Sequence, residues 1–366
     1  MSITAYLRAA QRRLKPVAAV CLAAVCLAAW SDEEQRARQL LRAGRAAEAA
    51  SIYRQLAQAD ASNPNLLLDL TIALYQAKDY RGAIENATEA LRRAPAMLPA
   101  RLFLGASHLE LGEYAQAIAA LDLVVAANPN ERNGRLMLGK ALLAAGQPGR
   151  AVGQLQAATQ LLPANASAWY GLGQALAQLG QKDAAQDAWQ HLKGLPPSPE
   201  AHRHAAEVNV ADGRWREAAL DWQAALRMAP DDAVLRMGLA EALYRSRDYQ
   251  AAMAALQPLL PGQLAAAMFL YGGSLLNLQQ PAEAIPYLRA ARARDPHLLP
   301  ACAALGQALL QTGKPEQAIP LLLQARPVDS DGSLHFQLFR AYQLTHRQAE
   351  ARHALGEYQR LRAAAY

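Results

Sequence analysis

Residues 166–198 read ASAWYGLGQALAQLGQKDAAQDAWQHLKGLPPS, and the stretch holds two helices and two stops. Trp169, Leu172, Gly173 and Leu176 recur at spacings of 3, 1 and 3, which puts them on one face of a helix. Gly180 ends that helix, because glycine accepts the left-handed conformation at a helix C-terminus. Ala185, Trp189 and Leu192 form the face of a second helix, and Pro197 closes the segment, since proline cannot continue a helix. The alanine of the second helix has counterparts along the whole chain. Ala49, Ala83, Ala117, Ala151, Ala185, Ala218, Ala252, Ala284, Ala318 and Ala351 follow one another at spacings of 34, 34, 34, 34, 33, 34, 32, 34 and 33. One helix pair cannot bury its own apolar face, so copies at this period stack on their neighbours.

Composition agrees with that reading. A chain of 366 residues is too long for one compact core. Hydrophobic residues make up 52%, which excludes disorder for most of its length, while aromatics are only 6%. The apolar share therefore rests on Ala and Leu, which favour helix, and β-branched residues are too sparse for a sheet. The repeats fall near 32–63, 64–97, 98–131, 132–165, 166–198, 199–232, 233–264, 265–298, 299–331 and 332–366. No comparable block is left for a second domain.

The pattern resembles the tetratricopeptide repeat (TPR), W-x2-L-G-x2-Y…A-x3-F…P. It stands here as Trp169, Leu172-Gly173, Leu176, Ala185, Trp189 and Pro197. The third repeat gives Leu104-Gly105, Gly112, Ala117, Leu121 and Pro129; the fourth gives Leu138-Gly139, Gly146, Ala151, Leu155 and Pro163. The ninth gives Leu305-Gly306, Gly313, Ala318 and Leu322. The resemblance implies an all-α fold, a right-handed α-solenoid of about ten TPR helix-turn-helix repeats. Glycine at the eighth position and alanine at the twentieth are expected where the two helices cross, with a leucine or aromatic residue at the twenty-fourth beside them. Pro148, Pro281 and Pro315 fall at the start of second helices, where a missing N–H costs nothing. Pro286 and Pro320 lie deeper and should lift a carbonyl. Three repeats depart from the pattern. The first has Arg36-Ala37 for Leu-Gly. The seventh has Arg247 at the turn glycine and a shortened end through Pro258 and Pro261, where a local change of superhelix pitch is expected. The last supplies a C-terminal cap.

The N-terminus reads as an address. Arg8, Arg12, Arg13 and Lys15 precede the uncharged run 17–29, VAAVCLAAVCLAA, which exits through Trp30-Ser31-Asp32. A basic start, an apolar run and a small-residue exit form a secretory signal, with cleavage after Ser31. The run is shorter than the roughly 20 residues of a membrane span, although a short uncleaved inner-membrane anchor facing the periplasm is the alternative. Export would remove Cys21 and Cys26 and leave Cys302 alone, so no intrachain disulfide is expected. It also changes the charge. The full chain carries +6 from 37 basic and 31 acidic residues, but residues 1–31 hold four of the basic ones and no acid. The remainder, 33 basic against 31 acidic, carries +2, and its arginines alternate with acids along helices. Nucleic acid is not an expected partner, and a membrane is one only through the N-terminal segment.

Chemistry is not legible. The sequence has no HExxH, paired-cysteine site, P-loop or nucleophile elbow, and Gly171-x-Gly173 follows no strand. His202 and His204 are two apart, on different helix faces. No catalytic residue, metal or cofactor is expected, and no enzyme. The resemblance implies instead that the first helix of each repeat lines a concave face with its positions 2, 5, 9 and 12. Position 5 gives Leu68, Leu102, Leu136, Tyr170, Arg203, Met237 and Phe269. Position 9 gives Lys140 and Gln174, and position 12 gives Tyr75 and Tyr244. An apolar groove edged by polar groups suits an extended peptide or a helix. The carboxylate clamp of co-chaperone members is missing from the first four repeats, where position 2 is Asn65, Pro99 and Asn133 and position 5 is largely leucine. The expected function is a non-enzymatic protein–protein interaction scaffold of the bacterial periplasm or cell envelope. The alternative is a membrane-anchored accessory subunit of an envelope assembly or secretion machine, for exopolysaccharide, pilus or cytochrome biogenesis.

Overall fold

The computed structural model describes residues 32–60 and 62–364, so the expected export segment, 1–31, lies outside the described residues. Twenty α-helices follow one another, with no strand among the described residues. They fall into ten pairs: α1 (32–42) with α2 (Ala46–Ala59), α3 (Pro64–Gln76) with α4 (Tyr80–Arg93), α5 (Leu98–Glu110) with α6 (Tyr114–Ala127), α7 (Arg132–Ala144) with α8 (Pro148–Leu161), and α9 (Ala166–Gln178) with α10 (Lys182–Lys193). Then come α11 (Pro199–Ala211) with α12 (Trp215–Met228), α13 (Ala233–Arg245) with α14 (Tyr249–Leu256), α15 (Ala265–Asn277) with α16 (Pro281–Arg294), α17 (Leu299–Gln311) with α18 (Pro315–Ala325), and α19 (Ser333–Leu344) with α20 (Gln348–Ala364). The chain divides within α10 into two compact units, one ending at Gln190 and the other starting at His191.

Polar side chains start many of these helices. Asn63, Asp79, Asn165, Ser198, Asp232 and Asp248 each accept a backbone N–H of the first turn. Pro148, Pro281 and Pro315 occupy the first position of α8, α16 and α18. The turn inside each pair needs one left-handed residue. Gly44, Gly112, Gly146, Gly180, Gly213 and Gly313 supply it in six pairs, and Lys78, Arg247, Gln279 and His346 take φ between 58° and 68° in the other four. Glycine is therefore preferred there but not required. Pro258 and Pro261 stop α14 after eight residues and turn the chain into a 3₁₀ segment, Gln257–Gly262.

The alanines that set the period are also the floor of the packing. All ten, from Ala49 to Ala351, are between 0% and 2% exposed. Leu121, Leu155, Leu256, Leu288 and Leu322, four residues further on, are completely buried, and Tyr53 fills the same place in the first pair. The glycine of the first helix then has to be a glycine. A Cβ on Gly105 would lie 2.6 Å from Leu121, one on Gly139 2.5 Å from Leu155, and one on Gly306 2.8 Å from Leu322. In the fifth pair a tryptophan replaces the leucine, and a Cβ on Gly173 would lie 2.1 Å from Trp189 Nε1. In these pairs the two helices thus approach backbone to side chain, at a distance fixed by what lacks a Cβ, while Thr71, Ala206 and Ala240 take the same place in the second, sixth and seventh. Cys302 is a free, fully buried thiol within this packing.

Candidate functional site

Within each unit, successive first helices touch one another directly: α3 with α5, α5 with α7 and α7 with α9 in the N-terminal unit, and α13 with α15, α15 with α17 and α17 with α19 in the C-terminal unit. Second helices pack mainly on the first helices that flank them in sequence. First helices crowded together and second helices spread apart curve each unit with the first helices on the inner side.

The N-terminal unit carries seven of the candidate residues. Leu68 and Leu102 are half-buried and pack against the core while keeping part of their surface open. Tyr75 makes edge contacts with Tyr80 and Phe103, both with ring centroids 5.5 Å apart. Tyr170 accepts a hydrogen bond from Gln174 Nε2 at 2.8 Å, and Lys140 is exposed. Leu136 is different: at 9% exposure it belongs to the core, so it supports the face rather than forming it.

Tyr75 also has an electrostatic signature. Burial, and after it the Glu110 carboxylate, pushes its phenol from 10 up to about 12. Folding then favours the protonated phenol. That contribution is intact below the unfolded value of 10 and is lost as the pH rises from about 10 to 12, where the unfolded chain holds fewer protons. Urea midpoints measured across this range should fall less steeply for Tyr75→Phe than for the parent chain.

In the C-terminal unit Arg203 lies 3.7 Å from Glu207, and its guanidinium also reaches His204 Nε2 at 3.3 Å. Met237 is half-buried against the core of α12–α15. Tyr244 and Phe269 come together, ring centroids 6.5 Å apart, on one wall of a cavity of about 370 Å³. The other walls bring residues that the register reading did not include: Asn277 of α15, Gln307 of α17 and Gln337 of α19. Gln307 sits at the same ninth position as Lys140 and Gln174, so its place was readable from the repeat register. The Gln337 side-chain oxygen is buried and accepts no hydrogen bond from the described residues. Aromatic surface with convergent amides provides both donors and acceptors for a polypeptide.

The two neighbouring histidines of α11 turn to different partners. His204 Nδ1 is 2.7 Å from Glu207, and His202 Nδ1 is 3.6 Å from Asp221. Among the described residues no group of three His, Cys, Asp or Glu side chains is placed to hold a metal, and no helix is long and apolar enough to cross a membrane.

Two family models, both described as tetratricopeptide repeat, match the chain. One covers residues 40–85, 74–140 and 275–341, and the other 136–198 and 205–263, which together exceed half its length. No curated protein matches. Among solved structures, a thermophilic TPR protein of Thermus thermophilus is 28% identical over 50% of this chain and 99% of its own, with a TM-score of 0.45. A tetratricopeptide repeat protein of Parabacteroides merdae is 17% identical over 67% of this chain and 98% of its own, with a TM-score of 0.47. A chain of the APC/C hetero-tetramer Cut9–Hcn1 is 19% identical over 80% of this chain and 58% of its own, with a TM-score of 0.56, a likeness of fold alone.

Proposed function

Because the chain belongs to the tetratricopeptide repeat family, whose repeats generally mediate protein–protein contact, we propose that it is a non-enzymatic scaffold of the bacterial periplasm or cell envelope holding protein partners on the inner face of its first helices. The observation that carries this reading is the cavity beside Tyr244 and Phe269, where Asn277, Gln307 and Gln337 converge on an aromatic wall. A partner segment laid there would bury apolar surface and satisfy its polar backbone together, which an apolar groove alone cannot do. Within the N-terminal unit, the half-open Leu68, Tyr75 and Leu102 offer an apolar surface of their own on α3 and α5.

Gln307→Trp would fill the cavity from a half-buried position without touching the helix crossings. The expected result is at least a tenfold loss of partner captured by crosslinking from cells, with an unchanged circular dichroism spectrum. A partner retained in full would remove the inner face from the proposal. Export is supported by the basic start, the apolar run 17–29 and the small-residue exit. Residues 1–35 fused to a phosphatase that works only outside the cytoplasm should give activity. If the mature protein keeps residues 1–31 and fractionates with membranes, the accessory-subunit reading is favoured over the free scaffold.

A further inference from the structure

The outer side of the C-terminal unit holds a groove that the inner-face reading does not use. It lies between α12 and α14 over the back of α13 and encloses about 820 Å³. Leu239 and Leu243 form its floor, Ala219, Leu220 and Gln223 one wall, and Ala251, Ala254 and Ala255 the other. Leu220 is 66% exposed, although it is a large apolar side chain in the middle of a helix. The same place, two residues past the period-setting alanine, is exposed in every repeat, and only the sixth puts a large aliphatic side chain there. The prolines after Leu256 cut α14 short. The wall it does present is made of alanines, where the corresponding places in α16 hold Glu283, Pro286 and Tyr287.

The charges around the groove are unbalanced. Arg216 and Arg247 line it, and among the described residues neither has a carboxylate within ion-pair reach. The one acid in the lining, Asp248, is committed to the helix start, accepting the Ala251 backbone N–H at 3.2 Å. The polar lining says something about the occupant's backbone. Ser246 donates its hydroxyl to the Leu243 carbonyl at 2.9 Å, and the walls are helices whose backbone groups are paired internally. An extended strand would leave its own N–H and C=O groups buried without partners there, whereas a helix brings them already satisfied.

We infer that this outer groove docks an acidic amphipathic helix of a partner protein, whose apolar face covers Leu220 and the alanine wall and whose carboxylates pair with Arg216 and Arg247. Helix packing into a groove between two helices supplies the area, and the arginine pair supplies orientation and preference for acidic sequences. The inference does not depend on the inner-face proposal.

The test uses the full chain and a stapled helical peptide with leucines on one face flanked by glutamates, together with a twin carrying lysine for each glutamate. Fluorescence anisotropy should show the glutamate peptide binding at least tenfold tighter, with an advantage that shrinks as salt is added. Ala254→Trp should abolish its binding, and Gln307→Trp should leave it unchanged. Arg216→Glu combined with Arg247→Glu, both on the surface, should reverse the preference toward the lysine twin. Equal binding of the two peptides, or a preference that survives the charge reversal, would overturn the inference. So would binding that Ala254→Trp leaves intact.

Discussion

Gly139→Leu is expected to cost about 3 kcal/mol and to loosen the fourth repeat before the rest of the N-terminal unit. A Cβ at residue 139 would lie 2.5 Å from Leu155 Cγ and 2.7 Å from its Cδ2. Leu155 is completely buried, so it cannot swing into solvent to make room. Leucine gains about 0.8 kcal/mol of helix propensity over glycine, which is too little to offset the overlap. The neighbouring helix contains its own control. A Cβ on Gly153 of α8 meets nothing within 4 Å, so Gly153→Ala should stabilise the chain by up to about 1 kcal/mol. Pairing Gly139→Leu with Leu155→Gly should recover part of the loss, because the added volume then has a place to go. Repeat arrays do not unfold as one unit, so urea melting should be read with hydrogen exchange resolved by repeat. A Gly139→Leu chain as stable as its parent would mean that the helices of this pair do not cross as described.

Asp329→Ala should cost about 2–3 kcal/mol and release the last repeat. Asp329 Oδ1 accepts the Leu334 backbone N–H at 3.1 Å, and Oδ2 accepts that of His335 at 3.0 Å. His335 Nδ1 lies 2.5 Å from the same Oδ2. The carboxylate is buried, so water cannot replace it at either amide. Exchange should accelerate in α19 and α20 while the N-terminal unit keeps its protection. Asp329→Asn should lie between the two, because an amide oxygen still accepts but carries no charge.

These two residues mark what the sequence made legible. The alanine at the crossing recurs in all ten repeats and the glycine facing it in five, and a repeated steric requirement leaves a repeated letter. Asp329 leaves none. Its side chain reaches five and six residues ahead, over Asp331, which caps Ser333 at the ordinary short range. A rule that looks two or three residues back from a helix start finds the second aspartate and misses the first. The left-handed turns divide in the same way: six are spelled by glycine, but Lys78, Arg247, Gln279 and His346 hold the same geometry without announcing it. The repeat register places the candidate residues on first helices but does not carry the size of their neighbours. Leu102 and Leu136 share position 5, yet one keeps open surface and the other is buried. The cavity beside Tyr244 needed α15, α17 and α19 together, and no single repeat contains it.

The chain is proposed to hold protein partners on the face of its first helices. This role is tested most directly by placing a photoreactive side chain in living cells at Leu102, Tyr170 and Gln307 on first helices, and at Leu123 and Arg227 on second helices outside the outer groove. Strong, discrete adducts are expected from the first three positions, recovered in the periplasmic or envelope fraction, and little from the other two. Adducts of equal strength from Leu123 and Arg227, or none from the first-helix positions, would contradict this role.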